Sequence, residues 1–361
     1  MPHDPDSPAT LRRRALRLFG RALGTPIGLA TIYALRLTSR KAGVALMYHS
    51  VEERHGDMQR ELVPPHHERL FAAQVRHLVR HYRVVAAADL RKATAQRRRG
   101  GRFPVAITFD DDLRCHARFA LPILRGADVQ GTFFLSGASL ERPHAFWWER
   151  LRIALESGVP GVAELVGAPA RPGAVVGMHE LGRYVIALPQ DEVERVAACL
   201  ARVVGPDGSE TGMSAADVRA LVDAGMTVGF HTLRHPYLPR LAGSDLEHAL
   251  VDGRAELAAV AGAPIATIGY PYGGADRRVA NAARAAGFTA GFTTRPVAVE
   301  PHHDPLLQGR IAPSRHAVGT MALQLAYALL RAATVRSSRA RAKTASAAGT
   351  DDRSSQDGSQ A

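Results

Sequence analysis

Short apolar runs alternate with segments of helical periodicity from Gly43 onward, and this alternation limits the fold more than any other feature of the sequence. Apolar runs of a few residues are typical of buried strands, and apolar residues that recur every three or four positions are typical of helices. Strands that alternate with helices predict a parallel sheet with helical crossovers. Seven strands are predicted, which indicates a barrel-like α/β sheet, and they cover residues 44–48, 83–86, 105–109, 132–135, 227–230, 267–270 and 288–293.

Helices are predicted between these strands. Phe71, Val75 and Leu78 recur at helical spacing, and so do the apolar residues that follow the N-cap candidate Ser214. Further helices are predicted over residues 89–99 and 246–260.

One long stretch interrupts the alternation. From about residue 141 to residue 206 the sequence indicates several helices separated by glycine and proline, with no strand, so we expect a helical insertion. Residues 335–361 have almost no large apolar side chains, and we expect a disordered tail because such a segment cannot bury enough surface to offset chain entropy. The expected organisation is a basic segment over 1–41, one main domain over 42–334 and the tail.

Positive charge is concentrated at the ends of the chain. The formal net charge is +12, of which residues 1–41 carry +6 and residues 331–361 carry +3. The body between them is nearly neutral and has no basic motif interleaved with aromatic residues, so nucleic acid is not an expected partner. Two cysteines, Cys115 and Cys199, are too few for a disulfide framework or a multi-cysteine zinc site.

Residues 11–38 join an arginine-rich start to an apolar stretch between Thr25 and Leu35. The stretch is shorter than the roughly 20 apolar residues that a membrane-spanning helix needs. Two interpretations stay open, namely peripheral contact with a membrane surface and an ordinary helix packed on the body. We expect the protein in the cytoplasm or peripherally at the inner membrane, with export to the envelope as a further option.

Three adjacent carboxylates, Asp110, Asp111 and Asp112, directly follow the apolar run over 105–109. Like charges this close disfavour joint ionisation unless a cation or a proton lies among them. In barrel folds the carboxyl ends of the strands are where active sites form. The cluster therefore indicates a cation site, with a solvated acidic turn or a helix cap as the alternative.

Two histidines four positions apart, His231 and His235, follow another predicted strand. On a helical turn this spacing puts both side chains on one face. Two imidazoles and one carboxylate form a common ligand set for a divalent metal ion with positions left for water. Such a pair also arises by chance in a chain with 16 histidines, but its combination with the acidic strand end favours a metal site.

A third predicted strand leads into the turn Tyr270-Pro271-Tyr272-Gly273-Gly274. Proline and glycine together predict a tight, irregular turn, and its backbone N–H groups can bind a developing oxyanion. An ordinary turn at the end of a strand has the same pattern.

Together these segments resemble the polysaccharide deacetylases of carbohydrate esterase family 4. Residues 108–111 (TFDD) match the first motif of that family, residues 231–235 (HTLRH) match the second, and residues 270–273 (YPYG) resemble the third. The opening strand, with LMYH over 46–49, resembles that of members acting on exported poly-N-acetylglucosamine. The resemblance spans roughly residues 43–320 apart from the insertion, and it implies a distorted (β/α) barrel of about seven parallel strands.

The resemblance also implies a role for each matching residue. Asp110 would be the general base, and Asp111, His231 and His235 would bind a divalent metal ion, most simply Zn²⁺, with Co²⁺ or Ni²⁺ as alternatives. The backbone N–H of Tyr272 would stabilise the oxyanion. The implied reaction removes acetyl groups by hydrolysis from N-acetylated or O-acetylated sugars of a polysaccharide or glycan precursor.

Two departures from the family pattern concern charged residues. Asp112 stands where the family has glycine, and we expect it to cap a helix, with an extra electrostatic or structural element beside the metal site as the alternative. The arginine that precedes the third motif in many members, and holds the base, has no counterpart. Arg310 is its expected substitute as the residue that orients Asp110, with a surface arginine as the alternative.

A third departure concerns the general acid, because the family's Leu-x-His motif has no counterpart after Phe292. The candidates are His116, His302, His303 and His316, each of which is also interpretable as a surface or packed histidine. The missing motif and the basic termini motivate an alternative function, a catalytically impaired protein that binds carbohydrate or assists polysaccharide assembly at a membrane.

The two tryptophans of the chain, Trp147 and Trp148, open the insertion. They are expected either to pack in a helix core or to stack on sugar rings.

Overall fold

Ten strands form between residues 44 and 311 in a computed structural model that describes residues 23–140, 144–169, 177–205 and 212–332. They are β1 (Val44–Tyr48), β2 (Val51–Glu52), β3 (His66–His67), β4 (Arg83–Val84), β5 (Pro104–Asp110), β6 (Thr132–Leu135), β7 (Thr227–Phe230), β8 (Thr267–Gly269), β9 (Ala290–Phe292) and β10 (Arg310–Ile311).

Seven of these strands form a parallel sheet in the order β10-β1-β5-β6-β7-β8-β9, and β4 pairs with the beginning of β5. The two ends of the sheet approach each other, because Phe292 in β9 forms a parallel bridge with Gln308, just before β10. The sheet is therefore a nearly closed barrel, and the predicted distorted (β/α) barrel of about seven strands is confirmed.

Helices cover the barrel and follow most of its strands. The predicted N-cap at Ser214 is present, since its hydroxyl accepts the Asp217 N–H and the Asp217 carboxylate accepts the Ser214 N–H. Within the described ranges, no helix combines the length and the apolar character that crossing a bilayer requires. The helices are α1 (Gly24–Arg36), α2 (Glu68–His81), α3 (Leu90–Gln96), α4 (Leu121–Gly126), α5 (Trp147–Glu156), α6 (Val162–Leu165), α7 (Met178–Ala187), α8 (Gln190–Val204), α9 (Ala215–Asp223), α10 (Gly243–Val251), α11 (Arg254–Ala261), α12 (Arg277–Ala285) and α13 (318–332).

Two elements differ from the sequence prediction. The strand predicted over 83–86 is only β4, which lies beside the barrel path, and the seventh barrel strand is β10 instead. Strand β10 consists of only two residues, one of which is charged. A segment this short shows neither an apolar run nor an alternation of apolar and polar residues, so the sequence does not predict it. The helix predicted over 246–260 is split into α10 and α11 at Gly253, whose φ of 78° is a left-handed conformation that glycine adopts without a steric penalty.

Strand β5 sets the direction of the first site residues. All its side chains are buried, and successive side chains point to opposite faces of the sheet. Ala106 belongs to a small cluster inside the barrel, whereas Phe109 belongs to the larger core beneath the helices. Thr108 and Asp110 share the face of Ala106, so the Asp110 carboxylate points into the barrel at the carboxyl end of β5.

Helices α5 to α8 form a helical lobe with a core of its own. Trp147, Leu151, Leu181 and Leu200 pack there, in a cluster separate from the barrel core. This lobe is the helical insertion predicted from the sequence. Parts of that prediction, and both predicted chain ends, fall outside the described residues, namely 1–22, 141–143, 170–176, 206–211 and 333–361.

Candidate metal centre and active site

Three side chains meet at the carboxyl ends of β5 and β7. Oδ1 of Asp111 lies 3.5 Å from Nε2 of His231 and 3.6 Å from Nε2 of His235, and the two Nε2 atoms are 3.2 Å apart. With bonds of about 2.1 Å, neighbouring ligands of a tetrahedral metal ion lie about 3.4 Å apart. The three atoms are therefore spaced as ligands of a single ion.

The protonation of these side chains also fits a divalent metal ion. Oδ1 of Asp111 is buried and has no hydrogen-bond partner among the described residues, a state that is costly for a carboxylate. Burial raises the pKa of Asp111 well above its usual value, and the charges of Asp110 and Asp112 raise it further. Burial lowers the pKa of His231 and of His235, which keeps both imidazoles neutral, as metal ligands must be.

The backbone around the cluster adopts unusual conformations. Of the five non-glycine residues with positive φ in the described ranges, four lie here, namely Asp111 (71°), Thr232 (60°), His235 (51°) and Tyr272 (55°). Conformations of this kind cost energy and concentrate at functional sites. The segment from His231 to His235 is not a helical turn, because positive φ at Thr232 and His235 bends the chain into a tight, irregular turn.

Neighbouring groups fix the rings of both histidines. Nδ1 of His231 lies 2.7 Å from the carbonyl oxygen of Gly269, a contact that places the proton on Nδ1 and leaves Nε2 free to bind metal. The His235 ring is surrounded by aromatic rings, with centroid distances of 4.5 Å to Tyr272, 5.0 Å to Trp148 and 5.8 Å to Phe146. The helical lobe thus helps to hold one of the candidate metal ligands.

Arg310 and Asp110 form a buried ion pair inside the barrel. Nη1 and Nη2 of Arg310 donate to Oδ1 and Oδ2 of Asp110 at 2.5 and 2.7 Å. The remaining donors reach Thr108 Oγ1 and the Thr293 carbonyl, both at 3.2 Å, and Arg310 is only 1% exposed. Arg310 is therefore not a surface arginine, and it contacts the carboxylate that it was expected to orient.

This ion pair keeps Asp110 ionised. Burial by itself raises the pKa of Asp110, but the positive charge and the hydrogen bonds of Arg310 outweigh burial and bring the pKa down to about 2. A carboxylate that stays ionised next to a candidate metal site is suited to accept a proton from water.

Asp112 does not cap a helix, so that prediction is wrong. Its Oδ1 accepts the Ser136 N–H at 2.5 Å, and its Oδ2 accepts the Ser136 hydroxyl at 2.8 Å and the Gly137 N–H at 2.9 Å. The Asp112 carbonyl accepts the Met213 N–H at 2.7 Å. The residue joins the loops that follow β5 and β6 and so supports the backbone of the neighbouring Asp111.

Replacing Asp112 by alanine is expected to lower the free energy of unfolding by about 3 kcal/mol, because buried N–H groups of Ser136 and Gly137 lose their acceptor. Urea unfolding of the variant measures this loss. The matched control is Asp223→Ala, at an exposed position, with an expected change within about 0.5 kcal/mol. Equal stability of the two variants would contradict the role given to Asp112.

The cavity that contains the candidate metal ligands is lined by none of the four histidines proposed as general acid, as far as the described residues show. His116 is buried in the core with Nε2 2.9 Å from the His49 carbonyl oxygen. His302 and His303 lie beside Glu300, next to the bridge between Val299 and Gly43 before β1, at the opposite end of the barrel.

His49 is the functional candidate that the sequence analysis missed. It follows β1 and lines the cavity, and the pairing of Tyr48 with Phe109 puts it beside Asp110. Burial lowers the pKa of His49 to about 4, although the negative charge of Asp110 opposes this shift. The LMYH segment of the sequence already contained this histidine. Only the pairing of β1 with β5 shows that it lies beside Asp110.

The cluster lies in a cavity of about 1200 Å³. One wall comes from the barrel, with Asp110, His49 and Tyr272, and another comes from Trp147 and Trp148 of the helical lobe. A cavity this large accommodates more than a single small molecule.

The two tryptophans differ in burial and in the groups that they contact. Trp147 packs in the core of the lobe, and its indole N–H donates to the Tyr272 hydroxyl at 3.3 Å. Trp148 is half-buried and stacks on Phe146 with ring centroids 4.4 Å apart. Core packing therefore describes Trp147, whereas Trp148 presents part of its ring to the cavity.

Comparisons with known proteins concern the family match and the fold of the chain. Residues 191–291 match the family model "Polysaccharide deacetylase". No curated protein sequence matches the chain significantly.

Several solved structures share the fold. Streptococcus pyogenes deacetylase PplD, solved in complex with acetate, has 15% identity and a TM-score of 0.55, with 79% of this chain and 98% of that chain covered. IcaB from Ammonifex degensii has 19% identity and a TM-score of 0.51, with 78% and 97% covered. The polysaccharide deacetylase BC0361 from Bacillus cereus has 18% identity and a TM-score of 0.51, with 79% and 69% covered.

The family match lies across the segment that contains His231, His235 and the Tyr272 turn, and the shared fold extends over more than three quarters of the chain. The motif around Asp110 and Asp111 lies at the end of β5, which is separated from β7 by β6 in the same barrel. The chain therefore contains a segment that matches the polysaccharide deacetylase family model, within a fold shared with solved deacetylase structures, and these findings support an enzyme.

Proposed function

We propose that this enzyme is a metal-dependent hydrolase that removes acetyl groups from N-acetylated sugars of a polysaccharide or glycan precursor, with O-acetyl groups as the second class of substrate. The observation that carries the proposal is the ionised Asp110, held by Arg310, directly beside the Asp111, His231 and His235 cluster. A base next to a metal site in a sugar-sized cavity is what hydrolysis of an acetyl group requires.

A divalent cation bound by Asp111, His231 and His235 would polarise the acetyl carbonyl and acidify the attacking water, and Zn²⁺ is the ion we propose because two imidazoles and a carboxylate are a usual zinc set. Asp110 accepts the proton of that water, and Arg310 keeps the carboxylate oriented towards it. The Tyr272 backbone N–H donates a hydrogen bond to the oxyanion that forms.

We assign the general acid to His49. It lines the same cavity as Asp110 and is close enough for the two groups to influence each other's protonation. The proton that Asp110 takes from the attacking water passes to the neutral ring of His49, and because burial lowers the pKa of His49 to about 4, the ring readily gives that proton to the leaving nitrogen. Collapse of the tetrahedral intermediate then releases acetate and a free amine.

The cavity supports a glycan as the substrate. The half-buried ring of Trp148 offers an apolar face beside the candidate metal ligands, and aromatic faces of this kind pack on the apolar sides of sugar rings. The deacetylase PplD, which shares the fold, was solved with acetate, the product that we propose here.

The alternative of a catalytically impaired carbohydrate-binding protein is not favoured. It was motivated by the missing general-acid motif and by the basic chain ends. His49 offers the acid, and Arg310 contacts the base at hydrogen-bond distance.

Removal of metal tests the proposal. After dialysis against a strong chelator, we expect acetate release from N-acetylglucosamine oligomers to fall at least about 1000-fold, because a Lewis acid supplies several kcal/mol of stabilisation to the transition state. Activity should return with one equivalent of Zn²⁺, Co²⁺ or Ni²⁺. O-acetylated xylan and small acetyl esters, assayed in parallel, separate the substrate classes.

The control is Asp111→Asn, which keeps the shape of the side chain and removes its charge. If added metal restores activity to the wild type but not to this variant, the loss of activity in chelator comes from the proposed site. Full activity in chelator, with no metal bound, would show that the proposed chemistry is wrong.

A further inference from the structure

Exposed apolar side chains are concentrated on two adjacent helices at the ends of the described chain. Of the eleven large hydrophobic residues that are exposed in the described ranges, six lie on or beside α1 and α13. Isolated exposed apolar residues are ordinary, but contiguous patches mark interaction sites. The six are Leu23 (48% exposed), Ile27 (41%), Tyr33 (46%), Leu37 (65%), Tyr327 (61%) and Leu330 (44%).

Helix α1 buries one face against the protein and exposes the opposite face to solvent. Ile32 and Leu35 are buried in the barrel core, and a Cβ at Gly24 or Gly28 would meet the backbone of α13 within 3 Å. The two helices therefore pack closely side by side, and each keeps one outward stripe.

The outward stripe of α1 carries no charge. Its exposed positions are Pro26, Ile27, Ala30, Tyr33 and Ala34, and the only charged residue of the helix, Arg36, is buried. A surface helix of a globular protein usually has charged or polar residues on its outer face. On α13, Tyr327 and Leu330 extend the apolar surface next to this stripe.

A basic rim borders the apolar surface where α1 ends. The loop that contains several of these residues is fixed to the helix end, since Gly100 N–H donates to the Arg36 carbonyl at 2.7 Å and Arg97 donates to the Thr38 carbonyl at 3.1 Å. Within the described ranges, no rim residue forms an ion pair with a carboxylate. The basic rim consists of the exposed residues Lys41, Arg80, Arg83, Arg98, Arg99 and Arg102.

We propose that the outer faces of α1 and α13, together with the basic rim, form a docking surface for an anionic lipid bilayer. An uncharged helix face with aromatic and aliphatic side chains enters the interface between headgroups and acyl chains. The arginines of the basic rim, which have no carboxylate partner among the described residues, complement the negative surface potential of anionic lipids. The surface is separate from the candidate active site, so this inference does not depend on the proposed activity.

The topology places the basic rim far from the chemistry. The chain passes from α1 through Lys41 into the amino end of β1, and the loop with Arg98 to Arg102 leads into the amino end of β5. The metal cluster lies at the carboxyl ends of the same strands. With about 3.3 Å per residue, the length of β5 alone separates the two ends by about 20 Å, so the bound enzyme turns its cavity away from the lipid.

Co-sedimentation of the full-length protein with vesicles tests the proposal. One vesicle is pure phosphatidylcholine, and the other contains roughly three parts phosphatidylcholine to one part phosphatidylglycerol. We expect binding to the anionic vesicles that weakens with added salt. The triple variant Arg98→Gln, Arg99→Gln, Arg102→Gln should bind about 100-fold more weakly, since each basic residue near such a surface contributes roughly fivefold. The double variant Ile27→Gln, Leu37→Gln should also bind at least about tenfold more weakly.

The matched control is Val203→Gln, Val251→Gln, which replaces two exposed apolar residues elsewhere and should bind like wild type. Unchanged acetate release from a soluble oligosaccharide verifies that each variant is folded. No binding by wild type, or equal binding to neutral vesicles, overturns the proposal. If the triple and double variants bind as tightly as wild type, the affinity comes from the basic chain ends, and the proposal is also overturned. A dimer that dissociates in the Ile27→Gln, Leu37→Gln variant would identify a second copy as the occupant instead.

Discussion

Asp110→Asn is expected to lower the rate of acetate release by about 100-fold to 10,000-fold, the usual contribution of a general base. The amide keeps the size of the carboxylate but cannot accept the proton of the attacking water. Metal content, measured by mass spectrometry of the purified protein, should stay at one equivalent because the proposed ligands are Asp111, His231 and His235. Steady-state kinetics should show the loss in kcat rather than in KM.

The comparison variant is Asp304→Asn, which changes a half-buried carboxylate that pairs with Arg284 outside the cavity. It should retain nearly full activity. An Asp110→Asn enzyme with wild-type kcat would show that Asp110 is not the base, and loss of metal together with activity would place Asp110 among the ligands instead.

Arg310→Leu is expected to lower the free energy of unfolding by about 3 to 5 kcal/mol, because it leaves the buried Asp110 charge without its partner. The guanidinium makes two hydrogen bonds to the carboxylate and is 1% exposed, so water cannot replace it. Urea denaturation followed by circular dichroism measures the change.

Two further variants make this measurement specific. Arg195→Leu removes an arginine that is 73% exposed and pairs with Glu192, and it should cost less than about 1 kcal/mol. Asp110→Leu combined with Arg310→Leu removes both charges and should be more stable than Arg310→Leu alone. If the double variant is as unstable as the sum of its single variants, packing rather than charge explains the effect.

The core of the candidate site was predictable because each residue follows an apolar strand. Asp110 and Asp111 follow one such run and His231 follows another, and parallel strands bring their carboxyl ends to one side of the barrel. Arg310 was predicted from the absence of the usual arginine, although its strand was not. Its two residues carry no periodic signal, and only their pairing with β1 defines β10.

The errors concern residues whose role depends on a partner distant in sequence. Asp112 has the composition of a helix cap, but its partners Ser136 and Gly137 lie on the loop after the next strand. His49 is adjacent to Asp110 only through the register of β1 and β5. The conformation of the turn between the two metal-ligand candidates could not be predicted, because positive φ values leave no mark in a pattern of residue types.

Asp110 and Arg310 are separated by 200 positions in the chain, and this has a consequence for protein synthesis. A ribosome adds residues from the amino end, so the carboxylate is made long before its guanidinium partner emerges. Until then, burying the Asp110 carboxylate in the barrel is unfavourable, because its charge has no partner. Closure of the barrel is therefore disfavoured in the unfinished polypeptide. The buried ion pair can therefore form only after β10, the last barrel strand in chain order, has been synthesised.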